Sequence, residues 1–97
     1  MNTDQLKSQI ASQVDTTRQE LCELSLRIHD NPELGFREQK AMGWLTEFLE
    51  NKGFTIERCF AGLDTAFRAS YGKGSPAIAF LAEYDALPEI GHACGHN

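Results

Sequence analysis

The residues best suited to chemistry lie in the run Gly91-His92-Ala93-Cys94-Gly95-His96-Asn97, preceded by Glu83 and Asp85. Imidazole nitrogen and thiolate sulfur are good ligands for zinc and related divalent metals. Side chains alternate along an extended segment, so the spacing lets His92, Cys94 and His96 point to the same side. Gly91 and Gly95 allow the backbone to approach an ion closely or to take a positive φ. Two or three ligands are too few for a closed structural site, which implies an open site or one completed from elsewhere. Other readings of these residues stay open. The histidines also suit a polar loop, and Cys94 also suits an inert thiol. A Cys-His nucleophilic pair is a third reading, although such partners normally meet from separate parts of a chain. A haem attachment motif would need a second cysteine where Gly91 stands.

Groups of this kind need a scaffold. Ile10, Val14, Thr17, Leu21, Leu24 and Ile28 recur at steps of four and three, which predicts a long amphipathic helix from about Asp4 to His29. The stripe is too short, and too polar at Thr17, for a coiled coil, so the helix is expected to lie on a larger body. Asn31-Pro32 ends it, because a residue before proline is pushed out of the helical region. Glu33 to Phe36 reads as a connector. A second helix is predicted from Glu38 to Asn51, with Ala41, Trp44, Leu45, Phe48 and Leu49 on its apolar face and Gly53 as its stop.

Three strands are expected next. The first runs from Thr55 to Phe60, with Phe54, Ile56 and Arg58 on one face, and Gly62 and Asp64 mark the turn after it. The second runs from Ala66 to Tyr71. The loop Gly72-Lys73-Gly74-Ser75 leads to the third, Ala77 to Ala82, and suggests a hairpin between the last two. That third run is apolar on both faces, as in a strand at the middle of a covered sheet. Two helices then three strands predict a layered α/β domain. Glu83 and Asp85 would follow the buried strand, at the strand ends where α/β folds usually place their sites.

The 97 residues allow one domain at most, of marginal stability because little surface is buried at this size. A net charge of -5 argues against nucleic acid or an anionic membrane as partner, since both need a basic patch. No apolar run approaches the roughly 20 residues needed to cross a bilayer. Met1 to Gln9 is polar, unlike a signal peptide, so a cytoplasmic location is the default expectation. Three cysteines at irregular spacing make a poor disulfide framework. Cys22 and Cys59 are expected as small buried apolar residues.

The stretch AEYDALPEIGHACGHN, Ala82 to Asn97, resembles the metal-binding segment of the aminoacylase and carboxypeptidase-type metallopeptidases, peptidase family twenty of clan MH. It is most similar to the amidohydrolase branch, which holds p-aminobenzoyl-glutamate hydrolases, β-alanyl dipeptidases and hydrolases of N-acyl amino acid conjugates. IHDNPELGFREQKA, Ile28 to Ala41, resembles the segment after that branch's first helix, and Thr65 to Pro88 resembles its first sheet strands. The resemblance implies that Cys94 bridges two divalent metals (zinc, manganese or cobalt), that His96 is a ligand of one of them, and that Asp85 orients the site. Glu83 stands where the carboxypeptidase-like branch has a ligand histidine, and it is not counted as a ligand. His92 belongs to the motif without an assigned role.

The resemblance further implies an N-terminal part of the catalytic domain. The general-base glutamate, the later ligands, the rest of the sheet and the lid and dimerisation domain would lie beyond Asn97. The intact protein is then expected to be a homodimeric hydrolase of N-acyl amino acids or small dipeptides, and these 97 residues alone to be inactive. The competing expectation is a non-catalytic small module that binds a protein partner or a metal.

Overall fold

The computed structural model describes residues 1–97. Helix α1 spans Thr3–Asp30 and helix α2 spans Gln39–Asn51. Strands β1, Thr55–Arg58, and β2, Phe67–Ser70, follow. No helix is long and apolar enough to cross a membrane.

Helix α1 begins at a capping box. The Asn2 side chain accepts from the Gln5 N–H, and the Gln5 side chain accepts from the Asn2 N–H. The helix ends at Asp30 and is capped by Asn31, ahead of Pro32. Helix α2 ends at Asn51 and is capped by Lys52, and Gly53 beyond it has φ 95°, a conformation that favours glycine. Both helices therefore match the expected spans to within a residue.

Strands β1 and β2 form an antiparallel pair in which Ile56 faces Ala69 and Glu57 faces Arg68. Phe54 and Ile56 are half-buried, as are Phe67 and Ala69, while Glu57 and Arg68 form an exposed ion pair at 3.2 Å. Strand alternation thus turns one face of the ribbon towards the helices and leaves the other wet. Cys59 takes a left-handed conformation (φ 52°), so β1 stops at Arg58 rather than Phe60. The residues 59–66 then turn the chain back through a short 3-10 turn at Phe60–Gly62.

The expected third strand does not form. Residues 77–82 take no regular structure and pair with nothing. Ile78, Phe80 and Leu81 are 80%, 92% and 96% exposed. The hairpin therefore joins β1 to β2, not the strands on either side of Gly72-Ser75. A strand at the middle of a sheet needs neighbours to bond its backbone and layers to cover its faces. Nothing in this chain supplies either for 77–82.

The core is small. Only Ile28, Ala41 and Ala86 are buried apolar residues, joined by Thr46, Thr65 and His92. The stripe on α1 is covered only towards its C-terminal end, where Ile28 is buried and Leu24 half-buried. Ile10, Val14 and Leu21 are exposed, so the larger body expected beneath them is not provided by this chain. Cys22 and Cys59 are also exposed free thiols, against the expectation of buried ones.

Candidate metal centre

The acidic segment after residue 82 is anchored from below by the connector and by α2. Glu33 does two things there. Its carboxylate accepts from the N–H groups of Lys40 and Ala41, both at 2.9 Å, and so satisfies two free donors at the start of α2. Its backbone carbonyl accepts from the Ala86 N–H at 2.7 Å, beside a parallel bridge between Leu34 and Ala86. The second anchor is Tyr84, whose hydroxyl donates to the Thr65 carbonyl. Thr65 is itself buried, and its hydroxyl donates to Glu38 at 2.8 Å. Burial first, and then the Glu38 carboxylate, raise the Tyr84 hydroxyl above its ordinary value and keep it a neutral donor. With Tyr84 and Ala86 turned inward, alternation leaves Glu83 and Asp85 for the other side.

His96 meets that side. Its Nδ1 lies 2.8 Å from Asp85 Oδ1, and its Nε2 lies 3.6 Å from Glu83 Oε2. Ligand atoms of all three residues lie within 4.8 Å of one another. The hydrogen bond from His96 holds the Asp85 carboxyl below its ordinary range. The same bond, and then the charges of Asp85 and Glu83, raise His96 above its ordinary value. Glu83 and His96 open onto a hollow whose apolar side is Ile28, Leu45 and Leu81. Asn97 closes the segment onto α1 by donating to the Ser25 hydroxyl at 2.9 Å and to its carbonyl at 3.3 Å.

This donor set fits a divalent cation. Two ligands at about 2.1 Å in a tetrahedral arrangement are separated by roughly 3.4 Å. The 3.6 Å gap between His96 Nε2 and Glu83 is close to that edge and too long for a hydrogen bond. On the opposite nitrogen, the contact with Asp85 has the geometry by which a carboxylate orients a ligating histidine.

The structure brings Asp85 and His96 together and adds Glu83, which was not counted as a ligand on the sequence. Cys94 is exposed and lies outside the group. His92 is buried elsewhere, against His29. The three motif residues do not line one side because the segment is not extended. Gly91 and Gly95 have φ of 66° and 86°, and the Gly95 N–H turns back to the His92 carbonyl at 3.4 Å. Neither Glu33 nor Tyr84 stands out in the sequence as a site residue. Glu33, three residues past the end of α1 and six before α2 begins, carries a local sign only in its closeness to the second helix start.

No protein-family model matches the chain. Among curated proteins it is 42% identical to a mouse Xaa-Arg dipeptidase over 95% of this chain and 24% of that protein. It is 37% identical to a p-aminobenzoyl-glutamate hydrolase polypeptide of Escherichia coli over 87% of this chain and 21% of that protein. A thermostable carboxypeptidase from Saccharolobus solfataricus is 29% identical over 79% of this chain. The chain thus spans about a quarter of the length of the curated relatives it matches. With dipeptidase, amidohydrolase and carboxypeptidase relatives along nearly its whole length, the chain belongs to the family-twenty amidohydrolases of the metallopeptidases.

Proposed function

We propose that this chain supplies the first metal-holding segment of a divalent-metal amidohydrolase that cleaves amide bonds in N-acyl amino acids or small dipeptides. The observation that carries the reading is the convergence of Glu83, Asp85 and His96 in a chain whose relatives are named as dipeptidases and amidohydrolases. In this reading His96 offers Nε2 to the cation while Nδ1–H donates to Asp85. Asp85 holds the ring in that tautomer and makes it a better ligand. Glu83 contributes a carboxylate oxygen beside Nε2. Cys94, exposed two residues before His96, would add a thiolate to the residues that hold a two-ion centre. Held by these residues, a divalent ion would supply Lewis-acid chemistry, polarising an amide carbonyl and lowering the pKa of water towards about 7. The open hollow beside Ile28, Leu45 and Leu81 leaves room for a small amide substrate. The chain by itself is inactive, and the homodimeric enzyme needs a general base and further ligands from additional sequence.

The test pairs metal content with turnover. In a protein joining this segment to the remainder found in its relatives, His96→Ala and Cys94→Ala should each remove most bound metal and most hydrolysis of an N-acyl amino acid. Asp85→Asn should keep more metal than either yet lose much of the activity. Full metal and full activity in Cys94→Ala would refute the role of that thiol. A second reading, a non-catalytic module that binds a protein partner, rests on the uncovered stripe of α1, where Ile10 is 63% and Val14 53% exposed. Full activity after Ile10→Ser and Val14→Ser separates the enzyme from that module.

A further inference from the structure

We infer that His29 and His92 form a second cation site, which takes a divalent transition ion through imidazole nitrogen and is separate from the Glu83–Asp85–His96 group. His92 is 7% exposed, and neither Nδ1 nor Nε2 has a hydrogen-bond partner. A neutral imidazole carries one donor and one acceptor, and both are costly to leave unmet in the interior. The ring beside it is His29, at 6.4 Å between centroids and tilted by 31°. His29 is prepared as a ligand. Its Nδ1 lies 3.3 Å from Asp30 Oδ1, which orients the ring and leaves Nε2 for another partner.

The surroundings favour a cation. His29 lies in the last turn of α1, where the helix presents its partial negative charge. Pro32 lies beside Gly91, just ahead of His92, close enough that a side chain on that glycine would touch its ring. The His29 side chain is 55% exposed, so an ion can enter from its side. Metal–nitrogen bonds of about 2.0–2.1 Å put the centroids of two imidazoles on one ion on the order of 5–6 Å apart. The pair therefore needs only a small closing movement, which the exposed His29 ring can make. Two neutral imidazoles suit zinc, nickel or copper better than magnesium or calcium, and the remaining positions would be filled by water. The role of His92 is thus to hold an ion with His29 rather than to join His96.

Zinc titration of the chain, followed by NMR of the histidine side chains in a Cys94→Ser background, tests this. The His29 and His92 signals are expected to shift together and to saturate with one affinity. His29→Asn should weaken the response of His92 at least tenfold while leaving that of His96 unchanged. His96→Asn should leave the His29–His92 response intact, so failure of the main metal centre and failure of this site are read separately. If His92→Gln disturbs the fold by circular dichroism, the exposed His29→Asn variant still decides the question. A His92 response that persists at full affinity in His29→Asn, or zinc shifts confined to His96, would overturn the site.

Discussion

Helix α2 and the segment 77–82 are both apolar, yet one is built into the molecule and the other hangs free. The helix bonds its own backbone and needs partners only for one face. It finds them in Ile28, β1 and the Glu33 cap, and it buries Ala41 and Thr46. The segment 77–82 has no internal bonds to make. Without a neighbouring strand its amides stay in water, and its side chains stay there with them. The segment 83–97 is a third case. It has no helix or strand, yet three links hold it: Ala86 to Glu33, Tyr84 to Thr65, and Asn97 to Ser25. Order in this chain follows where backbone and polar groups find partners, more than where apolar residues are densest.

The sharpest test of that comparison sets a buried side chain against an exposed one. Ile28→Ala should destabilise the chain by roughly 2–4 kcal/mol in urea unfolding, enough to unfold much of so small a body. Phe80→Ala should change stability by less than about 0.5 kcal/mol, since its side chain is already in water. Similar losses for both would mean that 77–82 is packed in solution.

Glu33→Ala tests the connector. It removes both carboxylate bonds at the start of α2, and a loss of about 0.5–2 kcal/mol is expected, as for other helix caps. Because the backbone bond to Ala86 remains, hydrogen exchange should quicken at Lys40 and Ala41 more than at Ala86. The reverse order would show that the carboxylate serves the acidic segment and not the helix.

Tyr84→Phe should cost about 0.5–1.5 kcal/mol, the value of one hydrogen bond, and should loosen Glu83 and Asp85 together. Zinc affinity at His96 is then expected to fall several-fold while α2 keeps its helical signal. Unchanged affinity would mean that the bond to Glu33 alone holds the carboxylates in place.

The pair of Asp85 and His96 predicts a pH window in the metal-free chain. Asp85 is lowered in the folded state, so its contribution is present above its ordinary value of 3.8 and fades as pH falls through the lowered folded value. His96 is raised, so its contribution is complete below 6.5 and fades as pH rises through the raised folded value. Pairing is therefore strongest between those limits. NMR titration should place His96 above 6.5, and Asp85→Asn should bring it back down. A His96 midpoint that Asp85→Asn leaves in place would mean that the contact is absent in water.

The smallest effects belong to the two cysteines outside the motif. Cys22→Ala and Cys59→Ala remove exposed thiols, so each should shift stability by no more than about 0.5 kcal/mol and leave metal content alone. A loss of several kcal/mol in either would restore the buried reading that their surroundings in the sequence suggested.

Helices were the most legible feature because their signals are local. The steps of four and three on α1, the Asn-Pro break after it and Gly53 after α2 act within a turn or two of the residues that carry them. The strands β1 and β2 were legible for a similar reason, since they pair with each other across a short turn. The third strand misled because a run such as Ala77 to Ala82 records what a strand would like to be covered by, and says nothing about whether the cover is present.

For the site, the amino-acid sequence by itself determined which donor types are present and which relatives the chain has. The donor types in the run from Glu83 to His96 are fixed by composition, and their resemblance to a known segment needs no coordinates. Only the tertiary structure decided which of those donors meet. The positive φ angles at Gly91 and Gly95 turn His92 towards His29 and His96 towards Asp85, and so separate residues that an extended chain would have aligned. Tyr84 and Glu33 became visible as anchors for the same reason: their partners, Thr65 and Ala86, are 19 and 53 residues away, a separation that no local pattern reports.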